Sequence, residues 1–144
     1  MMSDASLTPA ARETLARWHE IVERRDMKNL PEIVHKDAVF RSPVAHTPYP
    51  GSFALCLALS TVIKVFEDFT YHREFIGTDG QSAVLEFSAL VGDKRVKGID
   101  MVQFDAGGLI TEFEVMIRPK NGLEALAEEM GARIGDMMTK MKQA

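Results

Sequence analysis

The sequence has one cysteine, Cys56, no apolar run approaching the ~20 residues that cross a bilayer, and no stripe of basic side chains. One cysteine rules out an internal disulfide. Without a partner cysteine or a Cys/His spacing it offers no zinc motif, and the chain suits a reducing cytoplasm. Seventeen Lys and Arg against 21 Asp and Glu give a net charge of −4. That balance lacks the basic footprint that phosphate binding needs, so no nucleic acid is expected as a partner. The start, M-M-S-D-A-S-L-T-P, has neither a basic n-region nor an apolar h-region, and neither membrane insertion nor export is expected. A Gly-rich phosphate loop, a metal-ligand cluster and a nucleophile triad are also missing. The expectation is therefore a mechanism without cofactor, metal or covalent intermediate.

What is present suffices for one domain over residues 1–144. At 46% hydrophobic, a chain of this length buries about two-thirds of its unfolded surface. Thr8-Pro9 has the character of an N-cap followed by proline in the first turn. From there Leu15, Trp18, Ile21 and Val22 recur at helical spacing, with Trp18 inward. Asp26 is placed to cap a short second helix through Leu30, Ile33 and Val34. Ala38 to Ser42 alternates as a strand that stops at Pro43, and Pro43 to Gly51 forms a stiff irregular loop carrying His46 and Tyr49. The run from Ser52 through Phe53, Cys56 and Phe66 is apolar on several sides, as in a helix buried between layers. Cys56 has no basic neighbour to lower its pKa and is expected to act as a small core hydrophobe.

Beyond Asp68 the pattern changes to strands. Tyr71 to Ile76, Ser82 to Val91, Arg95 to Phe104 and Leu109 to Arg118 are separated by Thr78-Asp79-Gly80, Gly92-Asp93 and Asp105-Ala106-Gly107-Gly108, which is hairpin chemistry. An amphipathic helix follows Gly122, with Leu123, Leu126, Ala127, Met130, Ile134, Met137, Met138 and Met141 at near-helical spacing on its apolar side. Helices, then an antiparallel meander, then one helix make an α+β fold.

Strand alternation places Asp100 on one face with Gly98, Val102 and Phe104, and Ile99, Met101 and Gln103 on the other. On the last strand Phe113, Val115 and Ile117 share the inner face. Glu86 and Arg118 point outward, either to solvent or to ion pairs with a second subunit. Both faces are fairly apolar, so the sheet is expected to be covered inside by its helices and outside by a partner copy in a homodimer. His19, His35 and His72 fall on polar faces and are expected to be solvated.

The order of these pieces, with D-A-V-F-R-S-P, K-G-I-D-M-V-Q-F-D and F-E-V-M-I-R-P, resembles the nuclear transport factor 2-like superfamily, in particular its SnoaL-like and steroid-isomerase-like branch. The resemblance implies a cone-shaped, curved, mostly antiparallel sheet wrapped around N-terminal helices and enclosing a pocket for a small molecule. It also implies specific positions. Ile99-Asp100 matches the isomerase aspartate held protonated by an apolar site. Trp18 stands where that branch has its oxyanion-hole tyrosine, and Ser42 where it has its proton-taking aspartate. An indole N–H does not titrate and a lone serine is a poor base, which argues against ketosteroid isomerisation itself.

The resulting expectation is a small-molecule pocket for an apolar or aromatic metabolite. Asp100 and His46 are its candidate catalytic groups, and Trp18, Ser42, Tyr49, Phe53, Phe87, Val102, Phe113 and Val115 its binding wall. Cofactor-free isomerisation, hydration or dehydration, or cyclisation suit such a site. A non-catalytic binding or dimerisation module with the same pocket is the alternative.

Overall fold

The structure is a computed structural model and describes residues 7–143, with side chains to residue 140. The reading of residues 1–6 and the inward side chain of Met141 lie outside the described part. Helix α1 (Pro9–Arg24) begins as its sequence dictates: Thr8 Oγ1 accepts the Ala11 N–H at 3.2 Å and Pro9 occupies the first turn. Arg25 ends the helix in the left-handed region, φ 54°. Leu15, Trp18 and Ile21 are buried along one stripe. Next comes a 3-10 turn, Leu30–Ile33, in place of the expected short α-helix. Pro31 removes a donor, and four residues are too few for α-helical bonding. Asp26 does not cap it, because its Oδ1 accepts the Lys28 N–H instead.

Strand β1 (Val34–Arg41) therefore starts ahead of the expected Ala38. The proline loop contains a two-residue strand, β2 (Tyr49–Pro50), paired antiparallel with β1. Helix α2 (Ser52–Val65) buries Ala54, Leu55, Ala58, Leu59 and Ile63. Four long strands follow: β3 (Glu67–Ile76), β4 (Ser82–Val91), β5 (Lys94–Phe104) and β6 (Ile110–Arg118). Strand β3 begins at Glu67, ahead of the expected Tyr71. It lies at the sheet edge with register shifts and a left-handed Asp68, so its first residues show no clean alternation. Helix α3 (Lys120–Gln143) closes the chain.

The sheet order is β2-β1-β6-β5-β4-β3, antiparallel except between β1 and β6. This is the expected α+β fold, a curved, mostly antiparallel sheet around helices. Among the described residues no helix is long and apolar enough to cross a membrane. Two glycines let the strands close up. A Cβ at Gly98 would sit 2.4 Å from the Met116 carbonyl oxygen and 2.7 Å from the Phe87 ring, so the sheet has no room for a side chain just behind Asp100. Gly108, at φ +90°, brings the β5–β6 turn within 2.6 Å, measured from a built Cβ, of the Ala10 carbonyl at the start of α1.

Strand parity is as read. Val96, Gly98, Asp100, Val102 and Phe104 are buried, while Met101 and Met116 on the outer face are 37% and 44% exposed. Glu86 is outward but 6% exposed, because Arg73 grips its two oxygens at 2.8 Å each and Lys97 reaches it at 3.0 Å. Its ion-pair partners here are thus Arg73 and Lys97 of the same chain. Those cations hold the Glu86 carboxyl far below the ordinary range.

Candidate functional site

Between the curled sheet, α1, α2 and α3 lies a cavity of about 230 Å³. Its wall is apolar: Leu59, Val62, Ile63, Phe66 and Phe69 on one side, Val115 and Ile117 from β6, and Leu126, Met130, Ile134 and Met138 from α3. Among the described residues Asp100 is the only carboxyl, histidine, lysine or arginine that lines it. The position follows from β5 parity and from the residues packed behind it, the bare Gly98 and the fully buried Phe87.

Asp100 is 6% exposed. Its Oδ2 accepts the Tyr71 hydroxyl at 2.5 Å, and the Tyr71 oxygen in turn accepts the Trp18 indole N–H at 3.0 Å. The direction of this chain is fixed from one end. An indole N–H only donates, so the Tyr71 oxygen is the acceptor there and its own proton turns to Asp100. The second carboxyl oxygen, Oδ1, has no hydrogen bond among the described residues. Among the described residues no fully buried polar side-chain atom lacks a partner, so Oδ1 retains access to the cavity space. A proton on the carboxyl therefore sits on Oδ1, on the cavity side.

Burial pushes the Asp100 carboxyl from its ordinary 3.8 up to about 7, with the Tyr71 hydrogen bond and the nearby His19 pulling the other way. Tyr71 is held well above its ordinary 10, first by burial and then by the Asp100 carboxylate, so it remains a neutral donor. Near pH 7 the site thus holds one carboxyl poised between its two forms. Cys56, by contrast, is pushed up to about 11 by burial and is inert, as its apolar setting predicts.

Of the residues singled out from sequence, Trp18, Ser42, Tyr49, Asp100 and Val115 come together on the cavity wall. The others lie elsewhere. His46 is exposed in the proline loop and outside the lining. Phe53 is 69% exposed on the outer side of α2. Phe87, Val102 and Phe113 are buried in the core behind the wall, Phe113 with its ring edge-on to Trp18 at 5.2 Å. Ser42 Oγ accepts the Val44 N–H at 3.1 Å, which leaves the serine proton free to donate.

Tyr71 is the residue that sequence reading missed. The signal was the alternation of Phe69 and Tyr71, which places both rings inward, but it is broken at once by the register shift between Tyr71 and Glu74. His19, expected to be solvated, is half-buried. Its Nε2 lies 3.0 Å from Glu74 Oε1 and its ring packs edge-on against Tyr71 at 5.3 Å.

Comparison with known proteins gives the family and the fold. The SnoaL-like domain family model matches residues 15–113. A solved structure described as a steroid delta-isomerase from Pseudomonas aeruginosa is 53% identical, with a TM-score of 0.88 over 92% of this chain and 97% of that one. An uncharacterised protein with a cystatin-like fold from Silicibacter pomeroyi is 31% identical, with a TM-score of 0.82 over 91% of this chain and 93% of its own. The epoxide hydrolase/cyclase-like enzyme SalBIII of salinomycin pyran ring formation shares the fold, at 18% identity and a TM-score of 0.64 over 78% of this chain and 92% of that one. A search of curated proteins found no match. With the matched region running from α1 through α2 and the sheet to the start of β6, Asp100 included, the chain belongs to the SnoaL-like family of the nuclear transport factor 2-like superfamily.

Proposed function

We propose that this protein is a cofactor-free enzyme of isomerase or cyclase type, which binds an apolar, oxygen-bearing small molecule in the cavity and moves a proton with Asp100. One observation carries the reading: a single carboxyl, poised near neutrality, has one oxygen fixed by Tyr71 and the other turned to an apolar cavity. Ionised, Oδ1 takes a proton from one atom of the ligand. Protonated, it returns that proton to another atom, so no second base is required. The Ser42 hydroxyl is free to donate to the ligand oxygen on which charge develops. Tyr71 and Trp18 act as positioning residues.

The 53%-identical relative described as a steroid delta-isomerase supports this class of chemistry. Here Trp18 and Ser42 stand where that branch has its phenol and base, so the proposal routes the proton through Asp100 alone. A β,γ-unsaturated ketone is a direct test substrate, because its conversion to the conjugated ketone appears in ultraviolet absorbance. The expected result is turnover that falls about 10²–10⁴-fold in kcat in Asp100→Asn while KM changes little. Turnover undiminished in that variant would refute the assignment. Binding of the ketone with no turnover by the wild type would favour the second reading, a non-catalytic carrier of apolar ligands.

The outer face of the sheet supports a homodimer as part of the same proposal. Met101 and Met116 lie exposed at its centre beside Ile99, with charged side chains around them. Light scattering at micromolar concentration is expected to give twice the mass of one chain, and Met101→Arg to reduce it to a single chain. A wild type that runs as a monomer would exclude this interface.

A further inference from the structure

Helix α3 presents two parallel rows to the cavity. One is bulky and ends in the buried Leu126 and Met138; beside it Ala127, Gly131, Gly135 and Thr139, each four residues from the last, make a row of small side chains. By spacing alone the glycines would suit close approach of another helix. Among the described residues nothing approaches them, since a Cβ built at Gly131 or Gly135 meets no heavy atom within 4 Å. Neither glycine has a positive φ. Glycine weakens a helix interior relative to alanine, so neither packing nor backbone geometry accounts for these two.

What they border is the entrance. Gly131 and Thr139 are exposed and Gly135 half-buried, and Val44 of the proline loop, 51% exposed, lines the same cavity. Inside waits Asp100, 6% exposed, with Oδ1 unpartnered and open to the space. We infer that Gly131 and Gly135 keep the mouth of the cavity open and set the width of the molecule that enters. Among the described residues the wall offers no cation to balance an anionic ligand, and Asp100 repels an anion. The molecule that fits is neutral and largely apolar, with an oxygen toward Asp100 and the rest of its body passing over the glycine row.

This rests on the same cavity as the proposed reaction but does not depend on proton transfer, and its test needs no substrate. Trp18 is the only tryptophan in the chain, is 4% exposed and lines the cavity, so its fluorescence reports what enters. Trichloroethanol, a small neutral quencher, is expected to quench Trp18 in the wild type. Gly131→Leu with Gly135→Leu is expected to lower the quenching constant several-fold, and the Ala pair to lower it less, with a melting temperature no lower than that of the wild type. The Ala pair adds only two methyl groups in open space and carries the test if the Leu pair fails to fold. Quenching that is unchanged by the substitutions, or absent from the wild type, would overturn the inference. A β,γ-unsaturated ketone left unconverted would sink the reaction and leave the quenching result standing, so the two failures are distinguishable.

Discussion

Asp100→Asn is expected to make the fold more stable at pH 8, by roughly 2–4 kcal/mol, and no more stable at about pH 3. In the folded chain the carboxyl loses its proton at about 7, whereas in the unfolded chain it does so at its ordinary 3.8. Between those values the unfolded state binds fewer protons than the folded one, so stability falls as pH rises. Below the window both states are protonated and the group costs nothing. Above it both are ionised and the whole loss, about 4 kcal/mol, remains. Asparagine stays neutral throughout and can still accept from Tyr71, so the variant escapes the loss, less whatever its amide hydrogens fail to pair. Urea denaturation of both proteins at the two pH values measures the difference. An equal gap at about pH 3 and pH 8 would mean that Asp100 is not held neutral by burial. A gain in stability coupled to a loss of activity would mark Asp100 as a group kept at a structural cost.

Phe113→Ala is expected to cost about 3–5 kcal/mol of stability, while Phe53→Ala changes it by less than about 0.5 kcal/mol. Both are apolar aromatics that the sequence offers equally as cavity wall. Phe113 is fully buried on β6, paired in register with Val102 and set edge-on to Trp18, so its removal empties core volume that the sheet cannot collapse into. Phe53 lies on the solvent side of α2 at 69% exposure. Loss of Phe113 also releases the edge of Trp18, and with it the donor that orients Tyr71 toward Asp100. Denaturant unfolding gives the two costs. A Phe113→Ala protein as stable as the wild type but weakened in ligand binding would place this ring in the cavity wall instead.

These contrasts mark what the residues disclose before folding. Alternation is regular along β5 and along β6 from Phe113 onward, one face being buried and the other half-covered, so the inward set around Asp100 and Val115 was legible down to single positions. The helix from Thr8 was equally plain, since its cap and its proline are local devices. Depth was not legible. Parity says that Phe87, Val102 and Phe113 face inward but not that the strands curl so tightly, over a side-chain-free Gly98, that these residues fall behind the wall and leave Asp100 in front. Phe53 shows the converse. On a helix apolar nearly all round, no stripe says which side meets solvent. Tyr71 was hidden because it lies on an irregular edge strand, where a register shift reverses the faces within three residues. Its role depends on a contact with Trp18, 53 residues away in sequence, and another with Asp100, 29 away.

The account turns on the protonation of one carboxyl, which carbon-13 NMR of the Asp100 side chain follows directly in the folded protein. The midpoint is expected near 7, and Tyr71→Phe is expected to move it higher, because the phenol hydrogen bond favours the ionised form. A midpoint near the ordinary ~3.9 of a solvated aspartate would contradict the account.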